Sequence, residues 1–305
     1  MKPKIFIDGR EGTTGLQIYD RLASRDDIEL LLIDESKRKD TDERKRLLNE
    51  ADLVFLCLPD DTARDSVALI NNGKTRVIDA STAHRTDPGW VYGLPELSPE
   101  HSKKIAGARF VANPGCHATG FIISVYPLIA LGIMPVDYPL TCLSSTGYSG
   151  GGKSMIAEYE GRKTAGMYSP GLYALGLEHK HLPEMVAVTG LERAPVFCPF
   201  VDDYYKGMST TIALHNDLLL KPMTARDIRA SLAEYYAGQR YVTVAPEPGS
   251  GTLYSNWGIG TNDLEITVSG NDRQTIVTAR FDNLGKGASG AAVQNMELML
   301  TTIGG

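Results

Sequence analysis

The chain has 305 residues, which is enough for two domains or for one large one. Its composition, 42% hydrophobic and 22% charged residues, is ordinary for a soluble globular enzyme and argues against disorder. The net charge of −6 provides no basic footprint for a nucleic acid, and no apolar segment has the length needed to cross a bilayer.

The four cysteines are far apart and include no Cys-x-x-Cys pair. This spacing fits neither a zinc ribbon nor a small disulfide scaffold. The N-terminal residues run directly into a predicted strand, which leaves no room for a signal peptide. We therefore expect a reducing, cytoplasmic location, which suits a working thiol, and no membrane or nucleic-acid partner.

The first motif is a glycine-rich turn between a predicted strand, residues 4–8, and a predicted helix with apolar residues at helical spacing. Backbone N–H groups at such a helix start can cradle a pyrophosphate. The turn reads Gly-x-x-Gly-x-x-Gly, a weak signal alone, but its place at the head of an alternating β/α pattern favours a dinucleotide site. The candidate cofactor-binding residues of the turn are Gly9, Gly12, Thr13, Thr14 and Gly15.

A second predicted strand, residues 28–33, ends in an acidic residue followed by a hydroxyl and two cations. An acid at this strand end would hold the ribose hydroxyls of NAD, whereas the hydroxyl and the cations would favour the additional phosphate of NADP. We favour NADP, with Ser36, Lys37 and Arg38 as the contacts. The alternative is a solvated run of charges that continues through Arg46.

Two further strands are predicted, at residues 53–58 and from residue 77. Ligands bind at the carboxyl ends of parallel strands, so Ser81 and Arg85, after the fourth strand, are candidate anion or substrate contacts. Alternatively, Arg85 makes a surface ion pair. The first ~110 residues thus predict an α/β fold, a Rossmann-type doubly wound parallel sheet.

The candidate nucleophile follows a sharp turn. Asn113-Pro114-Gly115 predicts that turn, and a helical pattern begins at Cys116. Unpaired N–H groups and the macrodipole at a helix N-terminus lower the pKa of a thiol and so provide a thiolate at neutral pH. The alternative is a buried structural cysteine.

The second half of the chain predicts an α+β domain with a largely antiparallel sheet, because its later strands mostly alternate apolar and polar residues. A capping box, Thr224 to Asp227, opens its long helix. A glycine-rich segment through Lys153 is predicted as a flexible substrate loop, with Ser149 and Gly150 as contacts, or else as a simple turn.

Two histidines, His179 and His181, precede Glu184. His-x-His can be a metal pair, but no third ligand is evident nearby, so we predict no metal site. A catalytic cysteine requires an acid or a base within hydrogen-bond reach. This segment can supply it, with Glu184 orienting the imidazole of His181.

A last glycine-rich turn enters a predicted helix at residues 288–300. We expect this helix to return to the first domain with its N-terminus near the cofactor; the alternative is a C-terminal packing helix. The predicted domains are residues 1–114, completed by 285–305, for NADP binding, and residues 115–284 for catalysis, substrate binding and oligomerisation.

Six motifs along nearly the whole chain resemble those of the short-type N-acetyl-γ-glutamyl-phosphate reductases, within the aspartate-semialdehyde dehydrogenase-like group. They are Gly9-x-x-Gly12-x-x-Gly15, Asp79-Ala-Ser81-x-x-x-Arg85, Tyr92-Gly-Leu-Pro-Glu96, Asn113-Pro-Gly-Cys116-x-x-Thr119, His179-x-His181-x-Pro-Glu184 and Asn283-Leu-x-Lys286-Gly287-Ala288-x-Gly290. The third and fifth motifs are similar to this reductase rather than to aspartate-semialdehyde dehydrogenase. The chain departs from the longer type, which carries His-Gly where Asp60-Asp61 stands.

The resemblance implies reduction of N-acetyl-γ-glutamyl phosphate to N-acetylglutamate 5-semialdehyde in arginine biosynthesis, with NADPH as the hydride source. Cys116 would form a thioester, and His181, with His179 beside it, would be the acid/base; which histidine moves the proton stays open. The implied cofactor contacts also include Leu58, Pro59, Ser81, Asn283, Lys286 and Gly287. The implied substrate contacts are Ser81, Arg85, Asn113, Ser149 and Gly150.

The family resemblance also suggests a homodimer or a homotetramer. Two rival functions remain at this point. One is another phosphorylating semialdehyde dehydrogenase, of the aspartate or aminoadipate type. The other is a non-catalytic NADP-sensing protein with an unreactive Cys116.

Overall fold

The computed structural model describes residues 2–247 and 251–302, which divide into two compact units. One unit runs to Pro114 and resumes at Ala288, and the other is Gly115–Gly287. Met1 and residues 303–305, which belong to the predicted nucleotide-binding domain, lie outside the described residues. The assignment of functions to the two domains stays a prediction.

The first unit contains a parallel sheet in the order β2-β1-β3-β4-β6-β5. Its strands are β1 (Lys4–Asp8), β2 (Glu29–Leu31), β3 (Leu53–Leu56), β4 (Arg76–Asp79), β5 (Val91–Tyr92) and β6 (Phe110–Ala112). The chain winds from β1 outward to β2 and then back past β1 to β3 and β4. The Rossmann-type doubly wound sheet is therefore confirmed.

Helices cover both faces of this sheet with apolar side chains. They are α1 (Thr13–Leu22), α2 (Thr41–Glu50), α3 (Asp60–Leu69), α4 (Pro99–Gly107) and, numbered in chain order, α9 (Gly290–Leu300). One core joins Ile18 and Leu22 of α1 to Met296 and Met299 of α9. The other core lies under α2 and α3, around Leu48.

Helix α2 lies in the segment for which the alternative prediction was a solvated run of charges. Asp40 caps its first turn by accepting from the N–H groups of Asp42 and Glu43. Only Leu47 and Leu48 are buried, while the rest of the helix is exposed or half-buried. The charged run is thus a helix whose outer face is solvated, because two apolar residues suffice to dock it.

The second unit contains a mixed sheet in the order β11-β12-β13-β10-β7-β9-β8. Its strands are β7 (Thr141–Gly147), β8 (Gly171–Leu172), β9 (Val196–Asp202), β10 (Met208–His215), β11 (Val242–Val244), β12 (Leu264–Gly270) and β13 (Gln274–Phe281). The β7–β9 and β11–β12 pairs are parallel, and the other neighbouring pairs of this described sheet are antiparallel. The prediction of a largely antiparallel second sheet is confirmed.

The helices of the second unit are α5 (Cys116–Ala130), α6 (Gly152–Gly161), α7 (Leu182–Thr189) and α8 (Ala225–Tyr235). Helix α5 is buried over most of its length and packs on β10 and β13. Gly120 allows this approach, since a Cβ there would lie 2.5 Å from Thr210 Oγ1. Thr224 and Asp227 form the predicted capping box of α8.

The prediction that the segment through Lys153 is a flexible loop is wrong. Strand β7 continues to Gly147, a 3-10 turn covers Tyr148–Gly151, and α6 begins at Gly152. Gly147 is needed for close packing, because a Cβ there would lie 2.6 Å from the carbonyl oxygens of Tyr204 and Tyr205. Among the described residues, no helix combines the length and apolar character required to cross a membrane.

Candidate active site

Cys116 is the first residue of α5, as predicted. The preceding residue, Gly115, caps the helix in an extended conformation, with φ −77° and ψ 150°. The side chain of Cys116 is only half-buried. A half-exposed thiol at the positive end of a 15-residue helix meets the structural conditions for a nucleophile.

Gly287 packs directly against this cysteine. A Cβ on Gly287 would lie 2.9 Å from Cys116 Cβ and 3.3 Å from Phe281 Cε2. Contacts that short do not occur between real Cβ atoms, so a side chain at this position would displace the cysteine or the turn. The glycine is therefore a steric requirement of the cysteine's position.

Glu184 supports the turn before the cysteine. Its Oε2 atom accepts a hydrogen bond of 3.1 Å from the backbone N–H of Gly115, and its side chain is buried. The sequence suggested a different role, the orientation of His181, and did not predict this contact. Glu184 thus anchors the N-terminus of α5 from the first turn of α7.

Three imidazoles cluster in the second unit, where we expected two. The rings of His179 and His181 have centroids 4.7 Å apart. The ring of His117 lies 5.5 Å from that of His179 and 5.7 Å from that of His181. His117 follows Cys116 directly, so the cluster lies beside the candidate nucleophile.

One backbone contact determines which ring nitrogen of a neutral His179 carries the proton. The Nδ1 atom of His179 accepts a hydrogen bond of 3.1 Å from the backbone N–H of His181. A neutral His179 therefore carries its proton on Nε2. In the described part of the chain, no group of three or more His, Cys, Asp or Glu side chains could hold a metal ion.

His117 is buried and hydrogen-bonded at both ring nitrogens. Nδ1 lies 2.7 Å from Ser144 Oγ, and Nε2 lies 2.8 Å from the Tyr173 hydroxyl. Burial, together with the nearby His179 and Lys180, lowers the pKa of His117 to about 3, so its imidazole is neutral. Burial also raises the pKa of Tyr173, with a second contribution from the charge of Cys116.

Neither His117 nor Tyr173 was predicted from the sequence as a site residue. A signal for His117 was present, because a histidine in the first turn of an otherwise apolar buried helix requires hydrogen-bond partners. Tyr173 gave no signal of this kind, since it lies just after β8, 56 residues further along the chain.

The glycine turn of the first unit has the close contacts that a dinucleotide-binding loop requires. Gly9 has φ +88°, and a Cβ there would lie 2.4 Å from the carbonyl oxygen of Cys57. A Cβ on Gly15 would lie 2.4 Å from the carbonyl oxygen of Gly9. Gly12 caps α1, and Thr13 and Thr14 supply its first N–H groups. These features fit a pyrophosphate on the helix N-terminus.

A cleft of about 290 Å³ adjoins this turn. Its lining includes three cationic side chains, Arg10, Arg38 and Lys39. Of these, only Arg38 was predicted from the sequence as a cofactor contact. Ser36 and Lys37 are not part of this lining. The Ser36 hydroxyl instead donates to Asp34, 2.5 Å away, within a 3-10 turn.

A fourth cation of the cleft, Arg44, is neutralised by the protein. Its Nη2 atom donates to Asp8 Oδ2 at 2.8 Å and to Ser66 Oγ at 2.6 Å. Leu58 also lines the cleft, and Pro59 caps α3. Arg10 and Arg38 also face carboxylates, Glu11 at 3.6 Å and Glu35 at 3.8 Å, but both carboxylates are more than half exposed, so these pairs offset the cationic charge less than Asp8 offsets that of Arg44.

The predicted substrate contacts Ser81, Arg85 and Asn113 form hydrogen bonds within the first unit. Ser81 donates to Asp79 through both its N–H and its hydroxyl. Arg85 Nε donates to the Asn113 carbonyl at 3.0 Å, and Nη2 donates to the Ala80 carbonyl at 3.2 Å. Arg85 thus binds backbone oxygens that follow β6 and β4, in addition to any ligand it contacts.

Asn113 and Asn283 are buried, and the side-chain amide of each forms hydrogen bonds. Asn113 Nδ2 donates to the Ala288 carbonyl at 3.1 Å. Asn283 accepts from the Gly207 N–H at 2.8 Å and donates to Ser149 Oγ at 3.0 Å. A Cβ on Gly150 would lie 3.5 Å from the same Asn283 amide. Ser149 and Gly150 are therefore held in place by Asn283.

Lys286 is completely buried, which is rare for lysine. It lies in a π-helical turn, Gly285–Ser289, that precedes α9. Its Nζ atom is 5.9 Å from the centroid of the Tyr241 ring.

Two family descriptions match the chain. Residues 4–105 match "Semialdehyde dehydrogenase, NAD binding domain", and residues 116–283 match "Semialdehyde dehydrogenase, dimerisation domain". The first match identifies a nicotinamide-dinucleotide-binding domain.

Full-length relatives define the family more closely. A Nostoc protein named N-acetyl-γ-glutamyl-phosphate reductase 2 is 50% identical, over 98% of this chain and 97% of its own length. A Rhizobium etli protein named N-acetyl-γ-glutamyl-phosphate reductase is 48% identical, over 99% of this chain and 100% of its own.

The chain belongs to the N-acetyl-γ-glutamyl-phosphate reductase family.

Solved structures confirm the semialdehyde dehydrogenase fold of this reductase family member. Aspartate semialdehyde dehydrogenase II from Vibrio cholerae superposes with a TM-score of 0.78 at 15% identity, over 99% of both chains. Aspartate semialdehyde dehydrogenase with NADP from Candida albicans gives 0.69 at 16% identity, over 98% of this chain and 99% of its own. The resemblance inferred from the six motifs is therefore confirmed, and the chain is a member of an oxidoreductase family.

Proposed function

We propose that this enzyme reduces N-acetyl-γ-glutamyl phosphate to N-acetylglutamate 5-semialdehyde and phosphate, with NADPH, in arginine biosynthesis. The observation that carries the proposal is Cys116, half-exposed at the N-terminus of α5 and next to a cluster of three histidines. The names of the full-length relatives supply the substrate.

The residues of the second unit would act through a thioester. The Cys116 thiolate attacks the acyl carbon, a carbon–sulfur bond forms, and phosphate leaves with the electrons of the broken carbon–oxygen bond. NADPH, when bound, supplies the hydride that reduces the thioester carbon. The resulting thiohemiacetal loses its hydroxyl proton and collapses to the aldehyde, which releases the thiolate of Cys116.

His181 is the proposed acid/base for these proton transfers, with His179 beside it. The contact between His179 Nδ1 and the backbone N–H of His181 holds the two residues in one arrangement. It leaves Nε2 of a neutral His179 as a donor. Glu184 contributes indirectly, since it fixes the turn that carries Cys116.

NADP rather than NAD is the proposed cofactor. The glycine turn from Gly9 to Gly15 would hold the pyrophosphate. Arg38 and Lys39, with Arg10, would bind the additional phosphate of NADP, since the carboxylates that face Arg38 and Arg10 are exposed and leave these cations able to attract an anion. Asp8 neutralises Arg44, so we assign Arg44 a supporting role. Further proposed cofactor contacts are Ser36, Lys37, Leu58, Pro59, Ser81, Asn283, Lys286 and Gly287.

The first unit, completed by α9, is proposed as the NADP-binding domain, and the second as the catalytic domain, in a cytoplasmic protein. The proposed contacts of the small acyl-phosphate substrate are Ser81, Arg85, Asn113, Ser149 and Gly150. We propose a homodimer or homotetramer formed through the second unit. Leu143 and Ile276 are 44% and 41% exposed on strands of its sheet, which supports an interface there.

The test is a substrate panel followed by NADPH absorbance. Efficient oxidation of NADPH is expected with N-acetyl-γ-glutamyl phosphate and not with aspartyl phosphate. Cys116→Ser is expected to lower turnover by several orders of magnitude while NADPH binding is retained. A chain that binds NADPH but reduces no acyl phosphate, or a fully active Cys116→Ser variant, would refute the proposal.

A further inference from the structure

A chain of four hydrogen-bonding side chains leads toward Cys116 from the interior of the second unit. Thr210 Oγ1 lies 2.8 Å from Ser144 Oγ, and Ser144 Oγ lies 2.7 Å from His117 Nδ1. His117 Nε2 then lies 2.8 Å from the Tyr173 hydroxyl. Thr210 and Ser144 face each other across β10 and β7, and both are completely buried.

The chemistry of these groups allows only two directions for the protons. Burial keeps His117 neutral, so the ring carries one proton and is a donor at one nitrogen and an acceptor at the other. If Tyr173 donates to His117, then His117 donates to Ser144, and Ser144 donates to Thr210. If Thr210 donates to Ser144 and Ser144 donates to His117, every donor is reversed, and Tyr173 accepts from His117. An arrangement in which Ser144 accepts from both Thr210 and His117 would leave its own buried proton without an acceptor among the described residues.

The buried end of the chain decides between the two directions. Within residues 2–247 and 251–302, Ser144 Oγ is the sole hydrogen-bond neighbour of Thr210 Oγ1. The inward direction would leave the Thr210 proton without an acceptor at a site with no water access, which is unfavourable. In the outward direction Thr210, Ser144 and His117 all donate, and no buried donor is left unsatisfied.

The outward direction leaves the proton of Tyr173 for a ligand. In the part of the chain that the structure describes, His117 Nε2 is the sole hydrogen-bond partner of this hydroxyl. The Tyr173 hydroxyl is bonded to the ring of the residue that directly follows Cys116 in α5, and the charge of Cys116 contributes to the raised pKa of Tyr173. A hydroxyl donor held beside a nucleophile is suited to the oxyanion that forms when the nucleophile attacks a carbonyl carbon.

We propose that Tyr173 is a catalytic residue that donates a hydrogen bond to the oxyanion of the acyl group on Cys116, and that His117 is the positioning residue that directs this donor. The role for the natural substrate depends on the proposed function. Any acyl group transferred to Cys116 passes through the same kind of tetrahedral oxyanion.

The test uses two probes that require neither NADPH nor the natural substrate. p-Nitrophenyl acetate acylates a thiolate: a carbon–sulfur bond forms, the carbon–oxygen bond breaks, p-nitrophenolate leaves with the electron pair, and an oxyanion forms on the way. Iodoacetamide alkylates the same sulfur by displacement of iodide, without an oxyanion. Acylation is followed by absorbance against a Cys116→Ser background, and alkylation at Cys116 by mass spectrometry.

Tyr173→Phe is expected to slow acylation by roughly 10²-fold and to leave alkylation unchanged. His117→Leu is expected to slow acylation similarly, and the double variant to be no slower than either single one, because both changes remove the same donor. His117→Gln retains an amide donor near the Nε2 position and is expected to keep most of the acylation rate.

Tyr138→Phe is the matched control. Its hydroxyl is also a buried hydrogen-bonding group, bonded to the backbone of His215, and its loss is expected to leave both rates unchanged. Wild-type acylation in Tyr173→Phe, or an equal loss of acylation and alkylation, would overturn the proposal. So would effects of Tyr173→Phe and His117→Leu that multiply in the double variant.

If His117→Leu does not fold, Tyr173→Phe decides alone, because this half-buried hydroxyl has one hydrogen-bond partner among the residues that the structure describes. The outcome also distinguishes a failure of this inference from a failure of the proposed function. Acylation that depends on Tyr173 in an enzyme that reduces no N-acetyl-γ-glutamyl phosphate would refute the proposed function and support this inference. A fully active reductase with the Tyr173→Phe substitution would do the reverse.

Discussion

Glu184 accepts a hydrogen bond from the backbone N–H of Gly115, 69 residues earlier in the chain. The two residues lie at the N-terminal ends of α7 and α5, so one buried carboxylate fixes the start of the helix that carries Cys116. The position of the thiol therefore depends on a contact between two helices as well as on the local turn.

Replacement of Glu184 tests this dependence. Glu184→Ala removes the acceptor of a buried N–H, and we expect the free energy of unfolding in urea to fall by roughly 1–3 kcal/mol. Alkylation of Cys116 is expected to slow in parallel. Glu184→Gln retains an amide oxygen and should lie closer to the wild type, while Glu192→Ala, at an exposed position, should change neither quantity. Unaltered stability in Glu184→Ala would contradict the anchoring role.

Cofactor preference is expected to depend on the two cations that follow β2. In a double variant, Arg38→Ala with Lys39→Ala, kcat/KM for NADPH is expected to fall roughly tenfold or more, because two charged contacts to one phosphate are lost. The same ratio for NADH is expected to stay constant, since NADH has no such phosphate.

The control for this pair is Lys74→Ala. Lys74 is an exposed lysine just before the amino end of β4, whereas ligands bind at the carboxyl ends of parallel strands. It is expected to leave both ratios unchanged. An equal loss for NADPH and NADH in the double variant would show that these cations do not distinguish the two cofactors.

Local sequence signals predicted the parallel sheet and the helix that begins at Cys116. Short apolar strands, glycine turns and an Asn-Pro-Gly turn specify backbone conformation within a few residues. Helix α2 was not predicted from these signals, because just two of its residues are buried and its periodic signal is weak. The glycines near residue 150 were likewise predicted to form a loop, whereas Gly147 permits a close backbone approach.

Most side-chain contacts around Cys116 could not be predicted from the sequence. His179 and His181 were identified by their motif. The contact of His117 with Tyr173, however, joins residues 56 positions apart. Gly287, which packs against Cys116, is the last residue of the unit in sequence. Such contacts are set by the pairing of strands and the packing of α5 on them. Periodicity and propensity contain no information about these distances.

Burial of His117 predicts a pH dependence of stability. The folded protein holds this imidazole neutral with a pKa of about 3, whereas the unfolded chain protonates it below its ordinary pKa of 6.5. The unfolded state then binds more protons, so the free energy of unfolding should fall as pH drops from about 6.5 toward 3, by up to about 1.4 kcal/mol per pH unit. Above pH 6.5 this contribution is constant.

Urea unfolding at about pH 7, 6 and 5 measures this slope. His117→Gln lacks the titrating group and is expected to show a shallower slope than the wild type. Burial also lowers the pKa of His101, but that residue contributes equally to both proteins. Identical slopes in the two proteins would contradict a neutral, buried His117.

The packing of Gly287 against Cys116 gives a last prediction. An added Cβ would lie 2.9 Å from Cys116 Cβ, so Gly287→Ala must displace the cysteine or the turn. A shift of this kind is expected to slow acylation of Cys116 by p-nitrophenyl acetate by roughly 10²-fold, because attack requires close alignment of the sulfur. Gly166→Ala, where an added Cβ meets open space, is the matched control and should keep the wild-type rate. If Gly287→Ala reacts as fast as the wild type, close packing at this glycine does not position the sulfur.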